Sequence, residues 1–97
     1  MLQPRSWHVV ETPAFEKDFA RLEPGAERLE YHRRAFKFFL ERSPFEFAQG
    51  LTRDDDELRI CVSTDHHEGA EYVAGVQIDR AAQVVSLVWL ERRQADI

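Results

Sequence analysis

Residues 57–91 read ELRICVSTDHHEGAEYVAGVQIDRAAQVVSLVWLE, and this stretch decides the fold. Three runs rich in β-branched and aromatic residues, 57–64, 71–79 and 84–91, are separated by the turn-sized segments DHHEGA and RAAQ. Strands joined by such short turns pair antiparallel, as a three-stranded meander. In the first run Leu58, Ile60 and Val62 alternate with Arg59, Cys61 and Ser63. In the second, Tyr72, Ala74, Val76 and Ile78 alternate with Val73, Gly75 and Gln77. Successive side chains of a strand point to opposite faces, so the alternation predicts one core face and one open face carrying Arg59, Ser63 and Gln77. The third run is apolar on both faces, which predicts a central strand lying beside a short strand at 6–11, SWHVVE.

Upstream of the meander the period changes from two to 3.6. Thr12 suits a helix N-cap, and Pro13 the first helical position, where its missing N–H is not needed. Phe15, Phe19 and Leu22 then form one apolar stripe, with Glu16, Lys17, Asp18 and Arg21 on the wet side. Glu23, Pro24 and Gly25 break the pattern, and a second helix is predicted over 26–41 from Leu29, His32, Phe36, Phe39 and Leu40. Arg28, Arg33, Arg34 and Lys37 fill much of its remaining circumference and read as a solvated face. The fold class is therefore α+β: a strand, an α-helical hairpin, and a three-stranded antiparallel meander. The expected core sets Phe15, Phe19, Leu22, Phe36, Phe39 and Leu40 against Leu58, Ile60, Val62, Val76 and Ile78. Residues 45–56 read as a loop in which Phe45, Phe47 and Leu51 tuck under that core.

Composition bounds the function. Ninety-seven residues with 43% apolar content are enough for one domain, spanning 1–97. One cysteine excludes an intramolecular disulfide, and the absence of an apolar leader or a long apolar run predicts a cytoplasmic protein with no membrane association. A net charge of -5 argues against indiscriminate nucleic-acid binding and leaves room for local basic sites at Arg53, Arg59, Arg80, Arg92 and Arg93.

The order of elements resembles the RelE/ParE superfamily of toxin–antitoxin toxins, its HigB-like branch in particular. The resemblance is carried by VVETPAFEKDFARL at 9–22, DELRI at 56–60 and VVSLVWLERR at 84–93, and it spans nearly the whole chain. It implies a toxin-like component of a toxin–antitoxin pair, with a cognate antitoxin and with mRNA or the ribosome as partners. The implied activity is metal-independent mRNA cleavage, in which Arg59, Arg92 and Arg93 stabilise charge and Arg53 and Gln77 bind RNA. Attack of a ribose 2′-hydroxyl on the adjacent phosphate needs such positive charge near the growing oxyanion. The alternative is a non-catalytic interaction module on the same fold, such as a degenerate toxin or a ParE-like gyrase binder. Family members are usually basic, and their meander commonly bears an arginine where this chain reads EYVAGVQID.

Other constellations read as structural. His66 and His67 with Asp65 and Glu68 form a solvated turn, because adjacent turn residues seldom converge on one metal. The run Asp54, Asp55, Asp56, Glu57 lacks the alternating oxygens of a calcium loop. Cys61, Trp7 and Trp89 are expected in the core. Neither cofactor nor metal is predicted.

Overall fold

The structure is a computed structural model that describes residues 6–50 and 58–95. Strand β1 (His8–Glu11) leads through Thr12 into helix α1 (Pro13–Leu22), and a 3-10 turn at Glu23–Gly25 precedes helix α2 (Leu29–Arg42). A one-turn helix α3 (Pro44–Phe47) and a two-residue strand β2 (Gln49–Gly50) follow. The meander β3 (Leu58–Asp65), β4 (Ala70–Asp79) and β5 (Val84–Gln94) completes the chain. The five strands lie in the order β1-β5-β4-β3-β2, with β1 parallel to β5 and the other pairs antiparallel. Strand, helical hairpin and meander stand as the sequence predicts. The stretch read as loop contains α3 and β2 as well, and Leu51 falls outside the described residues.

Thr12 does the work expected of an N-cap. Its Oγ1 accepts from the Phe15 N–H at 3.3 Å and donates to the Leu87 carbonyl at 2.8 Å, so one side chain starts α1 and ties it to the central strand. Asp18 repeats that tie nearly two turns later, accepting from the Leu90 N–H at 3.0 Å. At the end of β1 the buried Glu11 carboxylate is gripped by Arg33 and Lys37 of α2, which holds its pKa below the usual carboxylate range. Arg33 and Lys37 are thus partly committed to the fold.

The core lies between the helices and one face of the sheet: Phe15, Phe19, Leu29, Phe36 and Leu40 pack against Tyr72, Ala74, Val76, Ile78, Val85, Leu87 and Leu90. Strand β4 meets its expectation, and β3 is inverted. Directly opposite residues share a face, and the register sets Arg59, Cys61 and Ser63 against Val76, Ala74 and Tyr72, all on the helix side. Leu58, Ile60 and Val62 therefore face away from the helices, and Val62 is 46% exposed. The inversion is tolerated because the inward polar groups find partners, described below. Phe39, expected in the core, is 41% exposed at the rim of α2. Leu22 is half-buried.

A β-bulge lies in β5. Gly75 pairs with Trp89 while Val76 pairs with Leu87, which leaves Val88 as the extra residue. Val85 and Leu87 point to the helices before it, and Leu90 and Arg92 after it. Trp89, Glu91 and Arg93 are switched to the open face. Trp89 is accordingly not in the core: its indole lies flat over Gly75, where a Cβ would fall 2.2 Å from Nε1. Cys61 and the half-buried Trp7 belong to or pack on the core as read.

Candidate functional site

The arginines implied by the resemblance do not converge. Arg59 is opposite Val76, and Arg92 is opposite Tyr72, four residues further along β4 and on its other side. That is roughly 13 Å along the strands and about 10 Å across them. Arg59, expected on the open face, instead points under the helices. It donates to the Ala48 carbonyl at 3.0 Å, and its guanidinium lies 4.8 Å from the Phe45 ring centroid. Arg92 also points to the helix side, donating to the Tyr72 hydroxyl at 3.3 Å with Glu68 at 3.7 Å. Arg93, on the opposite face, is paired to Glu91. Gln77 is exposed on the open face as expected, beside Leu58 and Ser86. Arg53, like Asp54, Asp55, Asp56 and Glu57, lies outside the described residues.

What does converge is a polar network that joins α2, β3, β4 and β5. His32 sits on the apolar stripe of α2 and is buried. Its Nε2 is 2.8 Å from Asp65 Oδ2, and its Nδ1 is 2.6 Å from Ser63 Oγ. Asp65 also accepts from Arg28 Nε at 2.8 Å and from the Glu68 N–H at 3.0 Å. The His32 hydrogen bond, together with these two, holds its carboxyl well below the usual range against the opposing effect of burial. Glu68 continues the chain: it accepts from the Arg28 N–H at 3.2 Å and from the Tyr72 hydroxyl at 2.5 Å. Burial, and then the Glu68 carboxylate, push the Tyr72 hydroxyl pKa upward. The Tyr72 ring lies 4.7 Å from that of His32.

The DHHEGA turn is therefore solvated at His66 and His67 only. Asp65 is 3% exposed, and Glu68 is tied inward. Sequence reasoning placed Ser63 on the open face and took His32 as part of an apolar stripe. The available signal was a polar residue at a core position of α2, which requires a buried partner elsewhere. Among the described residues no three His, Cys, Asp or Glu side chains gather as a metal site would need.

A second feature lies beside this network. The exposed large apolar side chains among the described residues all belong to α2, α3 and β3: Tyr31, Phe38, Phe39, Phe47 and Val62. Phe38, Phe39 and Phe47 form a continuous ladder of ring contacts at 5.3 and 4.7 Å, with the Arg42 guanidinium 3.6 Å over Phe38. Between the ladder and β3 opens a pocket of about 120 Å³ lined by Phe36, Phe39, Phe47, Cys61 and Ser63 among others. Burial pushes the Cys61 thiol up to about 11. Because β2 pairs only with Arg59 and Ile60, the edge of β3 beyond Ile60 has no strand partner among the described residues.

Among solved structures, the chain is similar to the toxin in the toxin–antitoxin complex RelBE2 from Mycobacterium tuberculosis. The two share 20% identity with a TM-score of 0.72, over 91% of this chain and 99% of that one. The two chains share one fold. No family model matches the chain, and no curated protein does. At this identity the likeness concerns the fold, and it does not single out the HigB-like branch. Within the RelE-like fold no described helix is long and apolar enough to cross a membrane.

Proposed function

We propose that this chain is the toxin-like member of a toxin–antitoxin pair in the cytoplasm, and that it acts by binding a protein partner rather than by cleaving RNA. The observation that carries this reading is the aromatic patch on α2 and α3. Exposed aromatic side chains interleaved with arginine, beside a strand edge that has no strand partner among the described residues, have the composition of a protein interface. A cognate antitoxin segment is the occupant that the fold suggests. Three arginines dispersed over two faces favour binding over phosphate chemistry, because charge stabilisation in a transition state needs donors aimed at one point.

The test is co-expression with the product of the neighbouring small open reading frame. The wild-type chain should retain that protein through purification. Joint replacement Phe38→Ser and Phe47→Ser should release it without lowering the melting temperature of the isolated chain. Retention by the double variant would refute the assignment of the surface.

The second reading is metal-independent mRNA cleavage by Arg59 with Arg92 or Arg93, aided by Arg53 and Gln77. It is supported by the fold match. It requires that Arg59→Ala, or joint replacement of Arg92 and Arg93, abolish growth arrest on expression. Loss of one such contact costs about 2.7 to 4 kcal/mol in the transition state, a hundredfold or more. A wild-type chain that leaves RNA intact with and without ribosomes would exclude this reading.

A further inference from the structure

Ser63, His32 and Asp65 stand in the arrangement of an activated nucleophile, and neither proposed reading uses them. Asp65 is ionised and can only accept, so His32 Nε2 carries the hydrogen that bridges the 2.8 Å to it. In the neutral imidazole Nδ1 is then the acceptor. The Ser63 hydroxyl therefore donates to it across 2.6 Å. The aspartate fixes the tautomer, the imidazole takes the serine proton, and the serine oxygen is left as the nucleophile. Relative to the familiar triad the two ring nitrogens are exchanged, which changes neither role.

Two further observations separate this from a buried structural hydrogen bond. Ser63 is half-buried and is one of the residues that line the pocket between α2 and β3. The pocket walls are Phe36, Phe39, Phe47 and Cys61, and its volume of about 120 Å³ suits an acyl chain or ring of roughly benzene size. Ser63 also stands on the stretch of β3 beyond Ile60, which pairs with β4 on one side and has no strand partner on the other among the described residues.

We propose that Ser63 is an acylatable serine, with His32 as its general base and Asp65 as the positioning residue, and that its substrates are esters of short apolar acids. In the first step the Ser63 Oγ–carbon bond forms and the hydroxyl proton passes to His32 Nδ1. The ester's carbon–oxygen bond then breaks, and the leaving alcohol departs with that proton. Water, deprotonated by His32, attacks the acyl carbon, releasing the carboxylic acid and restoring the serine hydroxyl.

The probe is diisopropyl fluorophosphate with the full chain, read by intact mass and peptide mapping. Formation of the phosphorus–oxygen bond at Ser63 expels fluoride, so the adduct records the nucleophile directly. The expected result is one diisopropylphosphoryl group on Ser63 of the folded protein, absent in Ser63→Ala and absent from protein held in urea. His32→Gln should slow labelling about a hundredfold or more, the usual contribution of a positioned general base. p-Nitrophenyl butyrate should give a burst of nitrophenol in wild type and none in Ser63→Ala. No adduct on Ser63 of the folded wild-type chain would overturn the proposal whatever the stability of the variants. Equal labelling in urea, or in a folded His32→Gln protein, would do the same.

Discussion

Replacing Gly75 with alanine probes the bulge and the open face together. A Cβ at this position would lie 2.2, 2.4 and 2.6 Å from Nε1, Cε2 and Cδ1 of Trp89, far inside contact distance. The ring cannot slide within the strand plane, so it must leave its rotamer and give up its packing on the sheet. Overpacking of this kind costs about 1 to 3 kcal/mol. Removing a glycine from a strand returns about 0.5 to 1 kcal/mol through the unfolded chain. The net loss lies between about 0 and 2.5 kcal/mol, or up to roughly 20 °C in melting temperature for a domain of this size. Thermal denaturation followed by tryptophan emission reads both consequences, since the displaced indole becomes more solvated. The cycle with Trp89→Ala isolates the cause: in that background Gly75→Ala should be neutral or stabilising, giving a coupling of about 1 kcal/mol or more. Additive effects in this cycle would show that Trp89 does not lie on Gly75.

Two further outcomes are expected. Phe36→Ala should cost about 3 to 5 kcal/mol and Phe39→Ala only about 1 kcal/mol, because Phe36 is 2% exposed and Phe39 is 41% exposed; denaturant titrations giving equal losses would contradict the placement of the α2 rim. Asp65 has a folded pKa below its ordinary 3.8, so its contribution is complete above that value and is lost as the pH falls beneath it. Asp65→Asn should therefore lower stability at neutral pH and flatten the acid limb of a stability–pH curve, and parallel limbs for the two proteins would count against the network.

The elements that were legible in the sequence are those with a local cause. Thr12 and Pro13 announce α1, and the double-sided apolar run 84–91 announces a central strand flanked by the opening strand. The facing of β3 was not legible. Alternation says only that Leu58, Ile60 and Val62 share a side. Which side is settled by register against Tyr72, Ala74 and Val76, and by partners for Arg59 and Ser63 that come from residues between eleven and 31 positions away. The switch at Val88 is equally invisible, since a bulge leaves the composition of the run unchanged while exchanging the sides of Arg92 and Arg93. The resemblance correctly supplied the fold. It could not supply a converged site, because convergence depends on these same facings.

The central position of β5 has a consequence for how the molecule is made. Among the described strands β1 pairs with β5 alone, and α1 is tied to β5 through Thr12 and Asp18, yet β5 is the last of the described strands to be synthesised. Until residues 84–94 leave the ribosome, β1 lacks its strand partner among the described residues and α1 lacks the ties made through Thr12 and Asp18. Closure of the sheet then depends on contacts between the two ends of the chain, a non-local step that slows folding. A fragment that stops before β5 lacks the strand to which β1 and α1 are tied.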